Sequence, residues 1–378
     1  MDVVQLFVGV GLLNRAATPQ QRSKKHARLL VVLLGAGLAG RGAATDVSRG
    51  LPHPMHWEAG PYGTAQQTVE VGGFEHKHSW LDKQTALAYY PTQWRAGVND
   101  GAPPLAQFPL LSFSHGDLAG YPFTNAAYGS LLHKVASHGF VILAHESCVP
   151  TCDNDQWLDQ IHALAWADAH HLANTAQVHP VLQKVDFTKP KGVFGQSTGG
   201  RSSIQSAANA SAPLGTKESK KARGTCIGAA VGLNPDPCVG HVRDWKHGGC
   251  DSARKVSGVA LAVFTGTADI IEPKGSAPAN FDAAPTTDKI YANMTGAGHM
   301  DGCSPLWGGF TAAFFQVHLM GQGVGTPYYE RVYGAGPEGL CGGHYPMAAC
   351  KNAKPTIHPG PAACSAALGD ASGSTHLV

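Results

Sequence analysis

Seven short apolar runs recur along the chain: residues 85–91 (TALAYYP), 108–114 (FPLLSFS), 139–144 (GFVILA), 192–196 (GVFGQ), 226–233 (CIGAAVGL), 258–266 (GVALAVFTG) and 289–296 (KIYANMTG). Several are apolar at nearly every position rather than at every second one. An alternating strand needs one face covered, whereas a strand apolar throughout needs both, which is the condition of a central strand in a parallel sheet. Helical spacing fills the intervals. Tyr128, Leu131, Leu132 and Val135 share one face of a stretch that Gly139 stops, and Trp157, Ile161, Leu164, Ala165 and Leu172 share a face of the next. Residues 305–323 supply a late amphipathic helix. The alternation predicts an α/β fold, a mostly parallel twisted central sheet flanked by helices on both faces. The Pro/Gly-rich stretches at 101–104, 211–216 and 273–285 read as loops, and none divides the chain, so one domain is expected over residues 55–350.

The two ends read differently. Arg22, Lys24, Lys25 and Arg28 precede an apolar stretch from Leu29 to Gly40 and then small residues, the order of a secretory signal, and the stretch is short for a bilayer span. Residues 1–45 are therefore expected to be a leader. A second apolar run, MDVVQLFVGVGLL, lacks a basic start, so either the native start lies further in or the leader is bipartite; a buried N-terminal helix is the alternative. Residues 351–378 are small and polar and are expected to form a disordered tail.

Composition narrows the function classes. A net charge of +2 with no basic stripe argues against nucleic acid. Nine cysteines without a CxxC…CxxC pattern favour disulfides over zinc, and the odd count leaves one over. Local pairs are expected: Cys148 with Cys152, Cys238 with Cys250, and Cys303, Cys341 and Cys350 among themselves. Sequons at Asn209 and Asn293 fit the same secretory route. The expected location is outside the cell or in the secretory lumen.

The run GVFGQSTGGRSSIQSAANA places Gly195-Gln196-Ser197-Thr198-Gly199 between an apolar strand and a helical stretch. Glycines two before and two after a serine permit a sharp strand-to-helix turn that pushes the hydroxyl clear of the sheet, the nucleophile elbow. The alternative is a Gly/Ser-rich surface loop. A serine nucleophile needs a base, and the base an orienting acid. Asp269 follows the strand at 258–266, and His299 follows the next one in a Gly-rich turn, in the chain order Ser, Asp, His. The chain has 20 histidines, so His299 is singled out by position rather than type. Glu272, Asp282 and Asp301 are rival acids. The strand at 108–114 ends in His115-Gly116, and the amides of Asp117 and Thr198 are the candidate oxyanion-hole donors.

These residues, together with PYGT (61–64), ALAYYPT (86–92), LLHKVASHGFVILA, TGTADIIEP, TGAGHMDGCSP and YYERVYG, resemble serine esterases of the α/β-hydrolase superfamily. The branch is that of cutinase-like polyester hydrolases, including relatives of PET hydrolases, with dienelactone-hydrolase-like proteins and chlorophyllases. The resemblance runs in order over roughly residues 60–345. It implies an α/β-hydrolase fold, Ser197 as nucleophile, His299 as base and Asp269 as its orienter. It further implies an oxyanion hole from Asp117 and Thr198, and Ile271, with Leu118, at the acyl pocket. Where polyester hydrolases carry an aromatic residue and a tryptophan, this chain has Asp117 and the turn at 234–237.

The expected activity is hydrolysis of carboxylic esters through an acyl-enzyme, with short to medium aliphatic acyl groups favoured over terephthalate-type ones. A chlorophyllase-like or lipid esterase is the alternative, and a catalytically silent scaffold acting as a binding module is the reading from a different class. No cofactor and no metal is expected, since no metal-ligand cluster or phosphate loop is evident. The expected partner is an ester, small or polymeric, acted on by a monomer with no membrane span once the leader is removed.

Overall fold

The computed structural model describes residues 59–71, 85–95, 106–117, 124–146, 156–173, 179–212, 225–236, 252–272, 275–343 and 345–352. All belong to one compact unit within Leu51–Val378. The expected leader, Leu118 and the cysteine pairs 148–152 and 238–250 lie outside the described residues.

The elements in chain order are β1 (Tyr62–Glu70), β2 (Thr85–Trp94), β3 (Leu110–Ser114), α1 (Thr124–Ser137), β4 (Val141–His145), α2 (Gln156–Leu172), β5 (Lys191–Gln196), α3 (Thr198–Ala210), β6 (Ile227–Leu233), β7 (Ala260–Gly266), α4 (Ser276–Ala283), β8 (Lys289–Met294), α5 (Pro305–Met320), α6 (Pro327–Tyr333) and β9 (Met347–Asn352). The strands form one nine-stranded sheet in the order β1-β2-β4-β3-β5-β6-β7-β8-β9. Neighbours from β4 through β8 run parallel. The pairs β1–β2, β2–β4 and β8–β9 are antiparallel. The protein is thus of the α/β class, with a mixed but mostly parallel sheet.

Burial explains which sequence runs became central. Every residue of β3, β4, β5, β6 and β7 is buried, as strands covered on both faces require. Helices α1, α5 and α6 cover one face, with Leu131, Phe310 and Tyr329 in its core. Helices α2, α3 and α4 cover the other, through Ile161, Ile204 and Phe281. Trp307 of α5 stacks on Phe264 of β7 with ring centroids 4.9 Å apart.

Residues 85–91 form the expected strand, antiparallel and second from the sheet edge, with mixed burial. Two sequence expectations change. The stretch 273–285, read as a loop, contains α4, whose Ala277 and Phe281 are buried against the sheet. Lys351 and Asn352, assigned to the tail, are the last residues of β9. No helix among the described residues is long and apolar enough to cross a membrane.

Candidate active site

The carboxyl ends of the parallel strands β3, β5, β6, β7 and β8 lie side by side at one end of the sheet. Open α/β sheets present ligand sites at that edge. Ser197 follows β5 directly and caps α3 with φ 59° and ψ −125°, one of two non-glycine residues at positive φ among those described. Such a conformation costs of order 1–3 kcal/mol and persists only where the surroundings impose it. Here they do: the Ser197 amide donates to Leu233 O at 2.9 Å, and its carbonyl accepts from the Asp236 amide at 3.0 Å. A Cβ on Gly195 or Gly199 would run into the Ser114 carbonyl, so the turn sits directly against the end of β3. The glycine spacing read from the sequence is thus required by backbone contact on both sides of the serine.

Asp269, buried after β7, accepts from His299 Nδ1 at 3.0 Å and from Asn234 Nδ2 at 2.7 Å through Oδ2. Its Oδ1 accepts from the amides of Ile271 and Glu272, each at 3.0 Å. Burial alone would raise this carboxyl, but the His299 interaction and the Glu272 amide and Asn234 hydrogen bonds hold it below the usual aspartate value. With Nδ1 donating to the carboxylate, Nε2 is the nitrogen left to accept a proton. The His299 carbonyl accepts from Gln196 Nε2 at 3.2 Å, which ties the histidine turn to the residue preceding Ser197.

Behind the elbow, the Tyr128 hydroxyl donates to Gln196 Oε1 at 2.9 Å and accepts from the Gly116 amide at 2.8 Å. The Gly116 amide is therefore engaged away from Ser197, while a Cβ on Gly116 would lie 3.1 Å from the Ser197 Cβ. Asp117 follows at once. Thr198 opens α3, so its amide has no intrahelical acceptor.

Ser197 Oγ and His299 are not hydrogen-bonded to each other. The hydroxyl instead donates to Glu272 Oε1 at 3.3 Å. Glu272 is hydrogen-bonded in turn to Asp236, and burial, followed by the charges of Asp236 and Asp269, pushes its pKa up to about 9. Asp236 is itself raised by burial, against the pull of Arg201, whose Nη1 lies 2.6 Å from Asp236 Oδ2.

The expected Asp269–His299 pair is thus hydrogen-bonded, and Ser197 stands at the same strand edge with its proton turned to a residue considered only as a rival acid. Asp282 pairs with Lys351 on the surface, and Asp301 caps its own turn through the Gly298 amide, so neither competes for His299. Ile271 is exposed beside Asp269, together with Ile270 and with Met300 next to His299. Trp157 and Trp307 are buried in the core. Sequence reasoning missed Asn234, Asp236, Tyr128 and Gln196. The turn at 234–237, two polar residues alternating with two prolines at a strand end, was the available signal for the first two. Cys341 and Cys350 form a disulfide, Cys226 is also disulfide-bonded, and Cys303 is buried and free. No family model matches the chain, and no curated protein matches it.

Proposed function

We propose that this chain is a serine hydrolase of the α/β-hydrolase type that cleaves carboxylic esters through an acyl-enzyme, without a cofactor. The observation that carries the reading is the pairing of a serine held at φ 59° in a strand-to-helix turn with a buried His299–Asp269 hydrogen bond delivered from two neighbouring strand ends. In the proposed reaction Ser197 Oγ attacks the ester carbonyl while its proton passes to His299 Nε2. The oxyanion is met by the amides of Asp117 and Thr198, such donors being worth about 3–4 kcal/mol each. Collapse returns the proton to the leaving alcohol, and water repeats the sequence on the acyl-enzyme.

Asp269 stays charged in this scheme, fixing the imidazole tautomer and stabilising the imidazolium. Ile270 and Ile271, which follow Asp269, and Met300, which follows His299, are exposed apolar side chains near the site, which supports aliphatic acyl groups at roughly 0.8 kcal/mol per buried methylene. The Cys341–Cys350 disulfide supports an oxidising, secretory location. A monomer acting on a small or polymeric ester is the proposed working form.

The test is turnover of p-nitrophenyl acetate and butyrate. Ser197→Ala and His299→Ala should each lower kcat at least a thousandfold without lowering the melting temperature by more than a few degrees, since triad members act as a unit. Activity surviving in Ser197→Ala would move the nucleophile elsewhere.

A further inference from the structure

Glu272 is the group the esterase scheme leaves unused, although it is the direct hydrogen-bond partner of the nucleophile. Its amide is fixed on Asp269 Oδ1, so the turn that holds the orienting acid also aims Glu272 at Ser197. Oε1 lies 3.3 Å from Ser197 Oγ. The other contact of the carboxyl is Asp236, which is anchored to the elbow twice, by its amide to the Ser197 carbonyl and by its carboxylate to Arg201. Two carboxyl groups joined by a hydrogen bond hold one proton between them. Asp236 faces the guanidinium, so the proton belongs on Glu272. The carboxyls are not arranged as a cation site: no group of three or more His, Cys, Asp or Glu among the described residues is placed to hold a metal ion.

We propose that Glu272 is a further residue of the catalytic machinery, a carboxylic acid that must keep its proton for Ser197 to act, so that turnover falls on the alkaline side when that proton is lost. The proposal rests on the serine-hydrolase reading above. While neutral, Glu272 offers the serine hydroxyl a carbonyl oxygen, a modest acceptor that the hydroxyl can leave for His299 Nε2. Once ionised, it becomes a charge-assisted acceptor that holds the hydroxyl more strongly. It also places an anion beside the atoms on which negative charge develops during attack, opposing the two oxyanion donors. The proton lost goes to solvent and takes no part in the ester chemistry.

The groups facing Glu272 are Asp236 from the turn after β6, Asp269 from the turn after β7 and Ser197 from the elbow; Arg201 on α3, Asp117 after β3 and His299 act on it through Asp236. Burial and the two aspartates keep the proton on up to about pH 9. The buried thiol and phenol near the elbow titrate later. Burial pushes Cys303 up to about 12 and Tyr128 well above its ordinary value, so an alkaline limb near 9 is not theirs.

The experiment is the pH dependence of kcat/KM for p-nitrophenyl butyrate between pH 6 and 10.5, with circular dichroism at each end to establish that the chain stays folded. The wild type should show a one-proton alkaline fall near pH 9, about tenfold by pH 10. In Glu272→Gln the alkaline fall should vanish whatever the height of the plateau. In Asp236→Asn, which removes a charge that holds the proton on, the fall should move to lower pH by about a unit or more. A wild-type profile flat to pH 10, an alkaline limb retained in Glu272→Gln, or one unmoved in Asp236→Asn overturns the proposal. Absence of ester turnover at every pH overturns the hydrolase reading and this proposal with it, whereas turnover without the alkaline limb overturns this proposal alone.

Discussion

Asn234 shares an oxygen of Asp269 with His299, donating a 2.7 Å hydrogen bond to the same Oδ2. A hydrogen bond to a charged group contributes about 1.5–3 kcal/mol. The residue sits at φ 44°, so glycine is the replacement that keeps the backbone conformation. Asn234→Gly should lower kcat ten- to a hundredfold with KM nearly unchanged, because Asp269 then loses its fixed orientation while the substrate surface is untouched; steady-state kinetics on a p-nitrophenyl ester would reveal a KM effect instead if the residue lined the pocket. At this scale the sequence was partly legible. Ser197, Asp269 and His299 were singled out because each lies within a few residues of the end of an apolar strand, a local signal. Asn234 and Asp236 were not, because what they touch lies about 35 residues away in the chain, and nothing in a turn of two prolines and two polar residues names its distant partner. Glu272 was noticed only as a competing acid. Its role follows from a side-chain direction that spacing does not encode.

Strands and helices were read best where burial is uniform. The five fully buried strands announced themselves as apolar runs, and α1, α2 and α5 by their helical period. β1 and β9 were missed because edge strands are half exposed: β9 carries Lys351 and Asn352 on an open edge, and its composition is that of a tail. Helix α4 was missed because Gly275 and Pro278 read as loop residues, although a proline is tolerated in the first turn and Phe281 fixes the helix against the sheet. The elbow is the element on which most depends. A Cβ on Gly199 would overlap the Ser114 and His115 carbonyls, which are backbone and cannot rotate away. Gly199→Ala should therefore destabilise the fold by about 3 kcal/mol or more, beyond the usual range for overpacking with mobile side chains. Thermal melting would show it. A melting temperature within a degree of the wild type would mean that the first turn of α3 and the end of β3 are not packed as closely as described.

Among the described residues the helices divide between two faces of one sheet, and the candidate site lies at the carboxyl ends of its neighbouring parallel strands. The far edge of the sheet is held differently. β9 pairs antiparallel with β8 and is clipped by Cys350 to Cys341, nine residues earlier. Closing so short a loop restricts the unfolded chain by roughly 2–3 kcal/mol. The double change Cys341→Ser and Cys350→Ser should lower the melting temperature by several degrees while leaving ester turnover per folded molecule unaltered, since β9 lies beyond the strands that carry the site; loss of turnover at full folding would tie β9 to the site after all. Whether Ser197 is an activated nucleophile is decided by covalent labelling with a fluorophosphonate followed by peptide mapping. One adduct per chain is expected, on Ser197, absent in Ser197→Ala and slowed at least a hundredfold in His299→Ala. A chain that remains unlabelled, or carries the adduct on another residue, would contradict that role for Ser197.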